Sequence, residues 1–254
     1  MSLFEMIFAR LGRRFSDIRT VYRFMFRNVM PRYQKKHEAK GDGWAVIRDY
    51  DSDLSMRVNR CDWIGASIFY HSRKEPRCLA QHVKADSVFA DIGANQEEFS
   101  VYATKRLTAG RVLAFKPVGA LFSQLEDNVT LNAFHNVSTF NFGLSNEPGE
   151  LEIFTGGEKD GSHNEGLPSL FRSETRARSL GKVQLRTFDS VFEEEGLDRL
   201  DLMKIDVEGA ELKVLQGAGE TIARYKPDIM LELNRETCEA AGYAPDDILE
   251  WLDT

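Results

Sequence analysis

Between Val88 and Leu233, short apolar runs alternate with longer amphipathic segments, and this alternation restricts the possible folds more than any other feature of the chain. The runs are Val88–Asp91, Val112–Phe115, Val137–Phe142, Leu202–Asp206 and Ile229–Leu233. Each is short for a buried helix and too uniformly apolar to have one face in water, which is the pattern of a parallel strand covered on both sides. The segments between them have helical spacing. They are Gln96–Thr108 closed by Gly110, Val118–Asn132 with Leu121, Leu125 and Val129 inward, and Ala210–Tyr225 with Leu215 and Ile222 inward. This order predicts an α/β domain built on a doubly wound, mainly parallel sheet.

The stretch Ser145–Arg186 breaks the rhythm, with Leu151–Phe154 predicted as a strand and the Gly/His/Asn-rich segment Gly156–Gly166 as a loop. Loops of that length in compact domains are usually functional or disordered. Ahead of the α/β region, Trp44–Arg48 and Leu54–Val58 flank the turn-forming Asp51-Ser52-Asp53, which predicts a small β-hairpin serving as a lid or platform. Earlier still, residues 3–29 place Leu11, Phe15, Ile18, Tyr22, Met25 and Val29 on one helical stripe, and Pro31 is expected to close it. The stripe is expected to dock on its own domain or on a second subunit. A basic amphipathic helix can also lie on an anionic membrane surface.

Residues 1–36 carry nine Lys/Arg against Glu5 and Asp17, although the whole chain has a formal charge of −7. The remainder is therefore strongly acidic and repels polyphosphate, which argues against a nucleic-acid substrate. Cys61, Cys78 and Cys238 are scattered without CxxC spacing, so neither a disulfide framework nor a zinc site is expected. No apolar run reaches about 18 residues and the N-terminus is too charged for a signal-peptide core, so a cytoplasmic, at most membrane-associated, protein is expected.

In an open α/β sheet, ligands bind beyond the carboxyl ends of the strands where the strand order reverses. The first strand-to-helix turn, Asp91-Ile92-Gly93-Ala94-Asn95-Gln96-Glu97-Glu98-Phe99, belongs at that place. Gly93 would let the backbone approach a ligand closely, although a single glycine there also serves as an ordinary tight turn. At the fourth apolar run, Met203-Lys204-Ile205-Asp206-Val207-Glu208-Gly209-Ala210-Glu211 crowds acidic groups and a lysine around a buried strand end. Asp206 is the candidate for orienting or deprotonating an acceptor. Alternatively, Asp206 and Glu208 cap the helix that begins near Gly209. His163, in the long loop, is another possible base but is more simply a solvated loop residue.

Taken together, DIGANQEEF, VLAFKP, EDNVTLN, KIDVEGAELKVLQGA and IMLELN resemble, in order and spacing, the FkbM-type methyltransferases, over residues 44–254. The resemblance implies a class I methyltransferase (Rossmann-like) fold, with a helical and β-hairpin extension at its N-terminus. It implies S-adenosylmethionine (AdoMet) as methyl donor and a hydroxyl of a sugar or secondary metabolite as acceptor. By family position, Asp91, Gly93, Ala94 and Asn95 would line the methionine and ribose side of the cofactor. Asp206 would lie near the transferring methyl, with Glu208 and Glu232 toward the acceptor. The chain then divides into a basic helical extension (1–40), a hairpin and linker (41–84) and the cofactor domain (85–254).

Two positions depart from the family pattern, which has glycine where this chain has Glu97 and glutamate where it has Lys116. An ammonium has donors only and cannot accept the hydrogen bonds of a ribose diol, so weakened AdoMet binding is expected. The opposite charges suggest that Glu97 and Lys116 face each other across the pocket and partly close it. The family's closing antiparallel strand pair has no counterpart before Thr254, which predicts that the fifth strand is an open edge. Two rival readings stay open. One is a non-catalytic scaffold on a methyltransferase fold. The other is an NADP-dependent oxidoreductase in which Lys116 meets a 2′-phosphate, although no G-x-G-x-x-G turn is present.

Overall fold

A computed structural model describes residues 28–51, 53–70, 76–93, 98–155, 168–172 and 177–253. The helical stripe read over 3–29 lies outside these residues except at its end, and so do Ala94, Asn95, Glu97 and His163.

The central sheet has the strand order β10-β9-β3-β4-β5 and is parallel throughout. Its strands are β3 (Val88–Ile92), β4 (Arg111–Phe115), β5 (Val137–Phe140), β9 (Leu202–Ile205) and β10 (Asp228–Leu231). Side chains alternate between its faces with the strand period of two. Ala90, Ile92, Leu113, Phe115, Met203 and Ile205 enter one core, packed against α5 (Phe188–Glu194) and α6 (Glu211–Gln216). Phe89, Val112, Ala114 and Leu202 enter the other, against α3 (Glu98–Arg106) and α4 (Gly119–Leu131). Helices on both faces explain why the inner strands β3, β4 and β9 are largely apolar, whereas the edge strand β5 is only half-buried and carries Ser138 and Thr139. The fold is thus a doubly wound, Rossmann-like α/β sheet of the class I methyltransferase type. Its order reverses at β3, which lies between β4 and β9.

Before the sheet come α1 (Met30–Lys40), an antiparallel hairpin of β1 (Trp44–Asp51) and β2 (Leu54–Asn59), and α2 (Trp63–Tyr70). Pro31 stands in the first turn of α1, and the stripe that it was expected to close lies, apart from Val29, outside the described residues. Proline costs little in a first turn, where its missing N–H would have no intrahelical partner. The hairpin has its own apolar core, including Ile47, Leu54, Met56, Val58, Ile68 and Tyr70.

The hairpin is fixed to the main domain by two asparagines, Asn128 on α4 and Asn132 at its C-cap. Asn128 accepts from Arg57 N–H at 2.7 Å and donates to Arg57 C=O at 3.1 Å. Asn132 does the same for Ser55, at 2.9 and 2.8 Å. Four helical residues rise about 6 Å and two strand residues about 6.6 Å, so the amides keep step with the edge of β2. Asn128→Ala should therefore leave both Arg57 backbone groups unpaired and cost about 2 kcal/mol in urea unfolding. Equal midpoints for the alanine variant and the parent would contradict this.

Elsewhere the structure refines the sequence pattern. The helix read over Ala210–Tyr225 is two helices, α6 and α7 (Gly219–Tyr225), with Gly217 between them. A Cβ at Gly217 would stand 2.0 Å from the Ser145 carbonyl oxygen. Within α4, Leu125 is fully buried while Leu121 and Val129 are only partly so, and the polar Gln124 and Asn128 are buried beside them. The irregular stretch contains a second sheet in which β6 (Gly143–Leu144) pairs in parallel with β8 (Arg178–Arg186), and β7 (Gly149–Thr155) pairs antiparallel with β8. After β10 follow α8 (Arg235–Ala240) and α9 (Pro245–Leu252), and among the described residues β10 pairs with β9 alone. No described helix is long and apolar enough to cross a membrane.

Candidate active site

A cavity open to solvent lies at the carboxyl ends of β3, β4 and β9. Gly93, Lys116, Asp206 and Glu208 line it together, so four of the residues singled out by sequence meet in one place. Its remaining walls are mostly apolar, with Phe115, Val118 and Leu121 on the sheet side and Ile153, Leu170 and Leu185 from the second sheet and its loops.

Gly93 is more than a tight turn. Its φ is +78°, and a Cβ there would stand 1.9 Å from the carbonyl oxygen of Asp206. The ends of β3 and β9 therefore touch through the one residue type that permits both the dihedral and the contact.

Below this contact lies a buried ion cluster. Lys204, on β9, places Nζ 3.1 Å from Asp206 Oδ2 and 3.7 Å from Asp91 Oδ1, above the ring of Phe99 at 4.9 Å. Burial works against the ammonium, but the charges of Asp91, Asp206 and Glu232 outweigh it and hold Lys204 above the ordinary lysine range. Asp91 is fully buried and is not among the residues lining the cavity. Its Oδ2 accepts from Ser100 Oγ at 2.5 Å, while its Oδ1 has no hydrogen-bond donor among the described residues. Glu98, at the start of α3, is pushed up to about 8 by burial and is mainly neutral at pH 7.

The loop after β9 is shaped by a residue that sequence reasoning passed over. The Glu211 carboxylate accepts from Gly209 N–H at 3.0 Å and from Val207 N–H at 3.2 Å, and Tyr243 OH donates to it at 2.8 Å. Burial foremost, then the Glu211 charge, raises the Tyr243 phenol. Neither Asp206 nor Glu208 caps α6, whose N-cap Ala210 has no side-chain cap. Both carboxylates are left at the cavity. Glu208 adopts φ +56°, uncommon for a residue with a Cβ, and its carbonyl accepts from Ser169 Oγ at 2.6 Å. The signal for Glu211 was its place two residues after Gly209. Lys204 and Glu232 stood out as charges inside apolar runs.

Glu232, just after β10, donates its N–H to the Ile205 carbonyl at 3.1 Å. Its carboxyl is pushed up to about 7, first by the Asp206 charge, then by burial and Glu208. Lys116 follows β4 and is buried; its carbonyl accepts from Asn141 Nδ2 at 2.8 Å.

Comparisons with known proteins agree with this arrangement. The chain is 28% identical over 188 residues to methyltransferase sdnD of Sordaria araneosa, covering 65% of this chain and 71% of that one. It is 25% identical over 178 residues to the hexuronic acid methyltransferase AglP of Haloferax volcanii, covering 69% and 65%. It is 32% identical over 199 residues to the antimetabolite synthetase AmbE of Pseudomonas aeruginosa, covering 66% of this chain but only 9% of that much longer one. The methyltransferase FkbM domain profile matches residues 91–254, well over half of the chain. This protein belongs to the FkbM methyltransferase family.

Proposed function

We propose that this chain transfers a methyl group from AdoMet to a hydroxyl of a sugar or another small molecule, and that Lys116 and Glu97 weaken its hold on the cofactor. The observation that carries the reading is the cavity at the strand ends, floored by Gly93 and edged by Asp206. The residues present fit most of AdoMet. Gly93 leaves backbone room, and the apolar walls suit a flat adenine. The fit is poorest at Lys116, where the ribose diol finds donors but no acceptor. AdoMet supplies an electrophilic methyl on a positively charged sulfur.

Everything else in the reaction falls to the chain itself. Asp206 orients the acceptor hydroxyl and draws off its proton, and Glu208 holds the acceptor from the far side of the loop. Asp91 and Lys204 fix Asp206 from below. A sugar acceptor is supported by the relative named as a hexuronic acid methyltransferase.

Thermal unfolding with AdoMet, its demethylated product and NADP(H) tests the proposal, because a ligand of the folded state raises stability by about 2.7 kcal/mol at a hundredfold excess over Kd. AdoMet and its product should both raise the melting temperature at millimolar concentration. A shift with NADP(H) alone would favour the oxidoreductase, and no shift with any of them the scaffold.

A further inference from the structure

Ser169 sits in the cavity wall between Pro168 and Leu170, which both line the cavity, and is itself almost fully buried. A buried hydroxyl needs partners, and this one both donates and accepts. It donates to the Glu208 carbonyl at 2.6 Å and accepts from Phe171 N–H at 3.0 Å. The Ser169 backbone meanwhile exchanges two hydrogen bonds with Phe154, near the end of β7, both at 2.8 Å. One residue therefore belongs to the second sheet by its main chain and to the loop after β9 by its side chain. Among the described residues it makes no hydrogen bond to β3 or β4, whose ends carry Gly93 and Lys116.

The hydroxyl meets that loop at its least relaxed point. Glu208 and Gly209 have φ of +56° and +110°, and residues with a Cβ populate the left-handed region sparsely. The Glu211 carboxylate holds the N–H groups on either side, those of Val207 and Gly209, while Ser169 holds the Glu208 carbonyl. Phe171 adds a packing contact, since a Cβ on Gly209 would stand 3.2 Å from Phe171 Cδ2. With the peptide groups around Glu208 fixed in this way, the direction of its Cα–Cβ bond is fixed too, and its side chain lines the cavity.

We propose that Ser169 is a positioning residue of the acceptor site, its hydroxyl keeping Glu208 in the left-handed turn and locking it to the Pro168–Leu170 wall. The inference rests on the methyl-transfer reading above, in which Glu208 holds the acceptor. Without the hydroxyl, Glu208 relaxes to an ordinary backbone conformation and its carboxylate leaves its place, while the cofactor side at Gly93 and Lys116 keeps its geometry. Ser169 touches no reacting atom and acts through Glu208.

Two measurements on the full chain test this. The first is NMR without ligand, in which the backbone shifts and the amide-to-Hα coupling of Glu208 report its φ. They should place Glu208 in the left-handed region in the parent and in Ser169→Thr, which keeps the hydroxyl, and outside it in Ser169→Ala. A left-handed Glu208 in the alanine variant overturns the hold, and so does a right-handed one in the parent, which needs no variant to fold. The second is methyl transfer from AdoMet to methyl glucoside and methyl glucuronide, with AdoMet affinity measured beside it by calorimetry. Ser169→Ala should raise the acceptor KM about tenfold, the equivalent of one lost hydrogen bond, and leave AdoMet affinity unchanged. Ser169→Thr should restore the KM. A general loss of structure would weaken both ligands together, and that result, or an unchanged KM, overturns the proposal. If the parent methylates neither sugar, the sugar-acceptor reading fails and the acceptor role of Ser169 with it, while the NMR still decides whether the hydroxyl holds Glu208.

Discussion

Calorimetry on the double variant Glu97→Gly/Lys116→Glu should show AdoMet binding about 10²- to 10⁴-fold more tightly than the parent. The estimate follows from the ribose diol, whose two hydroxyls would each gain a charge-assisted hydrogen bond of about 1.5–3 kcal/mol to a carboxylate. Lys116 lines the cavity on the same rim as Asp206 and Glu208, so a side chain there reaches a ligand bound in it. Both positions are changed together because each departs from the family pattern, which has glycine at 97 and glutamate at 116. A glutamate at 116 is also expected to lower stability without ligand, since Lys116 is buried and two carboxylates share its cavity. The double variant should therefore melt earlier than the parent alone and later with AdoMet. Equal affinities for the two proteins sink the idea.

Gly93→Ala should destabilise the protein by about 2–5 kcal/mol, combining roughly 1–2 kcal/mol of left-handed backbone strain with roughly 1–3 of overpacking. The added Cβ would fall 1.9 Å from the Asp206 carbonyl oxygen, and the obstacle is backbone, so no rotamer change relieves it. The ends of β3 and β9 would have to part, and Asp206 would move with them. Binding in the cavity should be lost along with stability. Gly119→Ala is the control, because a Cβ there meets nothing within 4 Å at the start of α4, and it should be neutral or slightly stabilising. Urea midpoints that fall equally for both variants would show that the contact is unimportant.

The parts of the fold that were legible in the sequence are those whose burial is one-dimensional. A strand covered on both faces must be apolar along its length, and the inner strands of the central sheet announced themselves in that way. β8 did not, because most of Arg178–Arg186 is exposed and its partners are distant in sequence. The break at Gly217 was hidden for a similar reason, since the backbone that crowds it belongs to Ser145. At the site, Gly93, Asp206 and Glu208 were found from strand ends and acidic residues, and they do line one cavity with Lys116. The interior position of Asp91 and the Glu211 clamp were not readable, because each depends on groups from separate elements, Ser100 and Lys204 for one and Tyr243 for the other.

The asparagine pair of α4 and its C-cap has an evolutionary corollary. Asn128 and Asn132 grip β2 only through the N–H and C=O groups of Ser55 and Arg57, which every residue except proline presents alike. That grip is indifferent to the side chains at 55 and 57, but Arg57 also pairs with Asp127 through its guanidinium, and the hairpin's inward residues pack with Val101. Position 55 can therefore change at little cost to the anchorage, while position 57 carries a second, charge-dependent hold.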